Sequence, residues 1–158
     1  MPSADAAPAP SEVPGLDGTD PAEMAARLRL SATRLARRLR QTADAGLTPS
    51  QLSALAVVAN HGPLTLGELA EHERVAPPSV TKIVAKLETE GLLSRTPDPT
   101  DRRVVYVATT PGGDALLAES RRRKTAWLTG RIQHLTPDQQ ACLTAALDVL
   151  DELTTDQP

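Results

Sequence analysis

The side chains best suited to binding a charged partner lie in two groups near the middle of the chain. Apart from one acid they are small, hydroxyl-bearing or basic: Pro78, Ser79, Thr81, Lys82 and Lys86, then Asp101, Arg102 and Arg103. Lysine and arginine bind phosphate, and with serine and threonine they also reach the edges of bases. The sequence has no Gly-rich phosphate loop, nucleophile elbow or pair of catalytic acids. The chemistry predicted is therefore recognition of double-stranded DNA by a protein that is not an enzyme.

The first group falls on one face of a helix predicted over residues 77–90. Val80, Ile83, Val84 and Leu87 follow the i, i+3, i+4, i+7 spacing of a stripe that is buried against a core. The opposite face carries no acid before Glu88. Because a small, polar and basic face can enter a major groove that is ~12 Å wide and lined by phosphates, we interpret it as a DNA-reading surface.

The second group lies at the tip of a predicted β-hairpin. Residues 92–96 and 102–109 are the two strands, and residues 97–101 are a Pro/Asp turn between them. An arginine on such a wing can enter a narrow minor groove, and Asp101 can hold it extended through a charge-assisted hydrogen bond. A helix with two lysines, or an arginine at a turn, is on its own more typical of an ordinary solvated surface. It is their combination that favours DNA binding.

The elements that position these groups are helices with a recurring start signal. A cap residue, a proline and then Glu or Gln at the third helical position follow one another from Asp20, Thr48 and Thr136. Thr65 begins the same box without the proline, and Thr110 precedes another helix with a weaker box. The predicted helices are 21–44, 49–60, 66–73, 77–90, 111–134 and 137–154. The fold class is therefore mainly α, a winged helix-turn-helix flanked by long helices.

Composition and charge are compatible with this architecture. Forty per cent of residues are hydrophobic, with no Phe, one Trp and one Tyr, so the core must consist of Leu, Val, Ile and Ala. The net charge of −3 alone argues against a nucleic-acid partner. The acids are concentrated at the ends, however: residues 1–24 and 136–158 each carry five acids and no base. A neutral to basic interior surface remains available for DNA.

The last predicted helix carries an apolar stripe that is broader than the edge of a small monomer can hide, and the first carries apolar residues at helical spacing. Leu143, Leu147 and Leu150 lie on the last helix, and Leu28 and Leu35 lie on the first. We therefore expect a homodimer, although one intramolecular bundle is the alternative. The predicted organisation is a flexible tail (1–19), dimerisation helices (20–47 and 111–155) and a DNA-binding domain (48–110).

Three further features admit more than one interpretation. The run from Arg121 to Lys124 spans every face of its helix and is either solvated or ion-paired, or binds phosphate, or lines an effector cavity. Cys142 lies on an apolar stripe, where a thiol is usually inert. The run Glu71-His72-Glu73 is the one place with metal-ligand residue types close together, but its side chains diverge, so we expect no metal or other cofactor.

The run from Ser79 to Arg95, followed by Asp98-Pro99-Thr100-Asp101-Arg102-Arg103, resembles the MarR family of bacterial transcriptional regulators. The resemblance implies a homodimer with intertwined first and last helices and a winged helix on each side. It also implies that the hydroxyl and lysine side chains of the first group face bases or phosphates, and that Arg102 and Arg103 serve the wing with Asp101 positioning them. We assign Thr65, Arg74 and Arg95 to the DNA backbone. The sequence departs from the family at Lys82, commonly Arg, at Ala85, commonly Asp, and at Pro77-Pro78, which replace polar residues.

The function expected is regulation of transcription from a near-palindromic operator, by a cytoplasmic protein with no membrane association. Repression is favoured over activation, with release by a small-molecule effector. Two alternatives remain: a winged-helix module that binds protein instead of DNA, and a thiol-based redox sensor that uses Cys142.

Overall fold

A computed structural model describes residues 20–43, 46–101 and 103–155. The predicted tail, 1–19, and Arg102 lie outside the described residues. The elements are α1 (Pro21–Thr42), α2 (Pro49–His61), β1 (Leu64–Thr65), α3 (Leu66–Glu73), α4 (Pro77–Thr89), β2 (Leu93–Pro97), β3 (Val105–Thr109), α5 (Pro111–Ile132) and α6 (Pro137–Thr154). The chain divides within α1 into two units, one up to residue 37 and one from residue 38 onwards. The described part of the first unit, residues 20–37, is helical except at its first residue.

The capping signals form as the sequence predicts. Three threonine side chains each accept a hydrogen bond from the third helical amide: Thr48, Thr65 and Thr136. The side chain of the Glu or Gln at that third position accepts a hydrogen bond from the backbone N–H of the threonine. Asp20 accepts from the Ala22 N–H at 3.2 Å, which caps α1 without the reciprocal bond. Thr110 accepts from the third amide of α5. Backbone chemistry thus fixes where the helices begin.

Three antiparallel strands form the sheet, in the order β1-β3-β2. The predicted hairpin is confirmed by the register from Leu93 opposite Thr109 to Pro97 opposite Val105. Its second strand begins at residue 105 and not at 102, because the Asp98 N–H donates to the Val104 carbonyl at 2.9 Å and closes a turn before the strand begins. The sequence reasoning missed β1, whose two residues pair with β3 at Val107 and Tyr106.

The core lies where α2, α3, α4 and the sheet meet, in the second unit. Helices α2, α3 and α4 pack on one another, and α5 adds its first turns against α2 and β3. The largest side chains with less than 2% exposure are aliphatic: Leu55, Val58, Leu69, Val80, Val84, Leu87 and Val107. The predicted Leu and Val core is therefore confirmed.

Helices α1 and α6 contrast with this core. Neither has a buried residue. Leu28 and Leu35 on α1, and Leu147 on α6, are 39%, 44% and 51% exposed, whereas Leu143 and Leu150 are half-buried. Both helices thus keep apolar side chains in contact with solvent within one chain. Among the described residues, no helix combines the length and hydropathy needed to cross a membrane.

Replacing Leu69 with alanine tests the core. Leu69 is 0% exposed on α3, so Leu69→Ala should lower the free energy of unfolding by about 2–5 kcal/mol, through lost burial and the cavity left behind. Glu71→Ala, at an exposed site of the same helix, should change it by about 0.5 kcal/mol or less. Chemical denaturation measures both variants. Equal, small effects of the two substitutions would show that α3 does not pack as described.

Candidate nucleic-acid interface

The turn that leads into α4 is fixed by backbone hydrogen bonds. The Val75 N–H donates to the Ala70 carbonyl at 3.1 Å, and the Arg74 N–H donates to the Glu71 carbonyl at 3.2 Å. This pair of bonds closes α3 with Arg74 in the left-handed region, at φ 53° and ψ 42°. Arg74 is exposed, so its guanidinium is presented at the turn of the helix-turn-helix.

The first turn of α4 offers side chains and not backbone amides. Pro77 and Pro78 have no N–H, and the Ser79 N–H donates to the Ala76 carbonyl at 2.9 Å. Ala76 supplies no side-chain cap. A phosphate at this helix start would therefore find no free amide at the first three helical positions, in contrast to the usual anion site at a helix N-terminus.

One face of α4 is buried and the other is exposed, as the sequence predicts. Val80, Val84 and Leu87 are at most 1% exposed, whereas Ile83 is half-buried at the edge of the stripe. The opposite face is exposed at each position predicted to contact DNA: Pro78, Ser79, Thr81, Lys82 and Lys86. We call these five residues the α4 face.

The polar groups of the α4 face differ in how far they are already engaged. The Thr81 hydroxyl donates to the Pro77 carbonyl at 3.0 Å, which leaves its oxygen free to accept. Lys86 Nζ lies 3.0 Å from Glu90 Oε1, an exposed i,i+4 pair of the kind that contributes little. Lys82 has no acidic partner in the described part of the chain, so it is the most available cation on the face.

Arg95 and Thr65, predicted to contact the DNA backbone, both have intramolecular partners. Arg95 Nε lies 3.1 Å from Glu88 Oε2, close enough for an ion pair although the N–H does not point along it, and this pair joins β2 to the end of α4. Thr65 donates its hydroxyl and its amide to Glu68 Oε2, each at 2.8 Å. These bonds lower the pKa of Glu68, the backbone bond most. Both residues support the fold, and their phosphate contacts remain predictions.

The tip of the hairpin is organised by Asp98. Its Oδ1 accepts from the Thr100 N–H at 2.7 Å, the Thr100 hydroxyl at 2.5 Å and the Asp101 N–H at 2.9 Å. These bonds, that from the Thr100 hydroxyl above all, lower the pKa of Asp98 below its ordinary 3.8. The Asp98 N–H donates a hydrogen bond to the Val104 carbonyl at 2.9 Å, which closes the turn. The sequence analysis did not assign this role to Asp98, although an Asp before Pro and Thr is a typical turn signal.

Asp101 acts on the backbone of the tip. Its carboxylate accepts from the Arg103 N–H at 3.0 Å, whereas the sequence analysis had it hold an arginine side chain. The Asp101 carbonyl accepts from the Val104 N–H at 2.9 Å. Arg103 is exposed beyond this turn. The second predicted wing arginine, Arg102, lies outside the described residues.

Other candidate residues lie away from this surface. Arg122 and Arg123 pair with Glu119, and Arg121 and Arg122 line a shallow groove along α5. Within the described ranges, no three His, Cys, Asp or Glu side chains come close enough to hold a metal. Cys142 is exposed within the single chain, like much of the apolar stripe of α6 on which it lies. The sequence reasoning also missed a stack of the His61 and His72 rings, whose centroids are 4.3 Å apart, because nothing in their spacing brings them together.

The lowered pKa of Asp98 predicts how the wing responds to pH. Because the folded pKa lies below the ordinary value, the stabilisation by this carboxylate is complete above about pH 3.8 and is lost as the pH falls through the folded pKa. Asp98→Ala should loosen the tip at neutral pH, seen as lower heteronuclear NOEs at the Thr100 and Asp101 amides. Asp114→Ala, at an exposed position of α5, should leave these NOEs unchanged. If the tip is equally rigid in Asp98→Ala, Asp98 does not organise it.

Comparisons with known proteins agree with this geometry. The MarR family profile matches residues 47–105, from the start of the DNA-binding unit into β3. An uncharacterized HTH-type transcriptional regulator of Mycobacterium leprae is 40% identical over 138 residues, which cover 87% of this chain and 96% of the relative. The repressor MdtR of Bacillus subtilis is 36% identical over 65% of this chain and 68% of its own. A putative transcriptional regulator of Pseudomonas aeruginosa, 30% identical, superposes with a TM-score of 0.77 over 86% of this chain and 97% of its own. The chain therefore belongs to the MarR family of winged helix-turn-helix transcriptional regulators.

Proposed function

We propose that this DNA-binding regulator acts as a repressor, and that it binds a near-palindromic operator as a homodimer. The observation that carries the proposal is the division of α4 into an aliphatic face with at most 1% exposure and an α4 face that is exposed and free of acids. A helix of this kind, ~10–12 Å across, fits a major groove ~12 Å wide. Its relatives are transcriptional regulators and not enzymes, and MdtR is a repressor.

The contacts within the groove follow from side-chain chemistry. Lys82 donates to the O6 and N7 acceptors of guanine, since it is the cation of the α4 face without an acidic partner. Ser79 and Thr81 bind base edges or nearby phosphates as their hydroxyls allow. Lys86 exchanges its exposed pair with Glu90 for a phosphate, and Pro78 contacts thymine methyl groups or sugars at the helix start.

The residues outside α4 hold the protein in register on the duplex. Arg102 and Arg103 enter the adjacent minor groove from the wing, whose tip Asp98 and Asp101 keep rigid. Arg74 binds phosphate from its exposed position in the turn. Thr65 and Arg95 also face the backbone, although their intramolecular bonds make them the weaker assignments.

The homodimer is supported by the exposure of α1 and α6. Leu28, Leu35, Leu143, Leu147 and Leu150 form apolar surface that water would otherwise cover. We propose that segments 20–47 and 111–155 of two chains bury this surface, while segment 48–110 of each binds DNA. A two-fold axis then presents two α4 helices to half-sites ~34 Å apart. The protein would work in the cytoplasm, where its operator is.

An effector has a candidate site beside the last turns of α1 and α5. A groove of about 500 Å³ is lined by Arg38, Gln41, Thr42, Trp127 and Arg131, with the Arg131 guanidinium 5.3 Å from the centre of the Trp127 ring. Two arginines and an indole suit a small anionic or aromatic compound. Such a compound releases DNA only if it binds the non-binding shape of the dimer more tightly than the binding shape.

The selection of bound sequences from random duplexes tests the proposal as a whole. A dimer on a near-palindrome enriches two inverted half-sites centred about one helical turn apart. A protein-interaction module would enrich no sequence. A thiol sensor would enrich the same sequence but lose binding in peroxide, and Cys142→Ser would restore it.

The salt dependence of binding tests the assigned contacts. Each lost phosphate contact lowers the slope of log affinity against log salt by ~0.9 on duplex DNA. Arg102→Ala and Arg103→Ala should each lower the affinity and reduce the slope by about this amount if the wing binds in the minor groove beside phosphates. Arg121→Ala removes a charge that we do not assign to DNA and should leave the slope nearly unchanged. If all three variants keep the slope of the parent protein, Arg102 and Arg103 make no phosphate contact.

A charge in the apolar stripe of α6 tests the dimer. Leu147→Glu should shift the protein to monomer at micromolar concentration, because an unpaired carboxylate would be buried at the interface. Asp148→Ala, at the next position along the helix but off the stripe, should leave the dimer intact. Sedimentation velocity measures both. A Leu147→Glu protein that stays dimeric would place the interface elsewhere.

A further inference from the structure

The first turn of α5 is bonded to the end of α4 through one threonine. The Thr110 N–H donates to the Leu92 carbonyl at 3.1 Å, and the Thr110 hydroxyl donates to the Gly91 carbonyl at 2.6 Å. The same hydroxyl oxygen accepts from the Gly113 N–H at 3.1 Å. A single side chain thus joins the segment after α4 to the start of α5.

Gly91 is itself rigidly attached to α4. The Leu92 N–H donates to the Leu87 carbonyl and the Gly91 N–H to the Glu88 carbonyl, each at 2.9 Å. This pattern ends a helix with a left-handed residue, and Gly91 has a φ of +70°. The Gly91 carbonyl that receives the Thr110 hydroxyl therefore moves with the last turn of α4.

Gly113 allows the first turn of α5 to approach the segment that follows α4. It is buried, and a Cβ at this position would lie 2.3 Å from the Leu92 carbonyl oxygen and 3.2 Å from Leu55 Cδ1. Glycine lowers helix stability, so helix propensity does not explain a glycine in the first turn of α5. The close approach to Leu92 does explain it. We call Thr110 and Gly113, with the Gly91 and Leu92 carbonyls that they contact, the α4–α5 clasp.

The clasp lies at the far end of α4 from its DNA-reading start. Twelve residues separate Gly91 from Ser79, so the start of α4 is on the order of 18 Å from the clasp. A tilt of about 10° at the clasp would move it by roughly 3 Å, close to the spacing of one base pair along a strand. Small changes in this angle would therefore change which base pairs the start of α4 contacts.

We propose that the α4–α5 clasp sets the angle between the DNA-reading helix α4 and helix α5, and thereby the half-site spacing that the dimer accepts. Thr110 and Gly113 are positioning residues, because they act on DNA only through α4. The inference depends on the proposed function, in which α5 and α6 join two chains. To that function the inference adds a role for Thr110 and Gly113, which fix the distance between the two α4 helices.

The binding test uses full-length protein and the operator obtained by selection, with its centre lengthened or shortened by one and two base pairs. Thr110→Val removes the hydroxyl and keeps the branched shape, whereas Thr110→Ser keeps the hydroxyl. We expect the parent and Thr110→Ser to lose about tenfold or more in affinity at each altered spacing. Thr110→Val should lose most of that discrimination. An unchanged spacing profile, or an equal loss of affinity on every duplex, would overturn the inference.

A distance measurement in the same proteins needs no DNA. In a Cys142→Ser background, Ala85→Cys provides an attachment site for a spin label on the exposed side of each α4. Double electron–electron resonance then gives the distance between the two labels. We expect a narrow distribution in the parent and Thr110→Ser, a broad one in Thr110→Val and a displaced one in Gly113→Ala. If Thr110→Val does not fold, Gly113→Ala decides: an unmoved distribution would overturn the inference. A parent with no preferred duplex would contradict the proposed function, whereas a broader distribution in Thr110→Val than in Thr110→Ser would still show that the clasp fixes the angle of α4.

Discussion

The burial of one side of α4 is the constraint on which the DNA-reading surface depends. Val80, Val84 and Leu87 are at most 1% exposed, so rotating the helix about its axis would bring them into water and take basic residues into the core. The hydrophobic effect and the cost of burying an unpaired charge both oppose such a rotation. The face that bears Ser79 and Lys82 is outward for the same reason that the other face is inward.

Short polar networks at the ends of α4 complete this arrangement. Arg74 closes the turn before it, and Gly91 closes the turn after it. The two acids nearest the α4 face are already paired, Glu88 with Arg95 and Glu90 with Lys86. Half of the 20 acids lie in residues 1–24 and 136–158, and Glu88 and Glu90 at the end of α4 have cationic partners, so a protein with a net charge of −3 can still present a basic face to phosphate.

The sequence predicted those features that depend on local chemistry. The capping boxes gave the helix starts, and the spacing of apolar residues gave the buried face of α4, because both depend on residues within a few positions of one another. The sequence did not predict β1, the His61–His72 stack or the bond from Thr110 to Gly91, since each joins residues that only the folded chain brings together. The position of Asp98 before Pro and Thr also predicts a turn, but the bonds from its carboxylate to the Thr100 hydroxyl and the Asp101 amide depend on how the tip folds. Helix propensity alone would have called Gly113 unfavourable, and only the position of the Leu92 carbonyl explains it.

The most direct test of the account is methylation protection at guanine N7 in the selected duplex. N7 is exposed in the major groove, so an α4 that lies there should protect guanines in two clusters about one helical turn apart on one face of the DNA. Lys82→Ala should remove protection at one position in each half-site and leave the rest. Tight, sequence-specific binding with every guanine N7 still reactive would contradict the account, since α4 would then not be the element that reads the DNA.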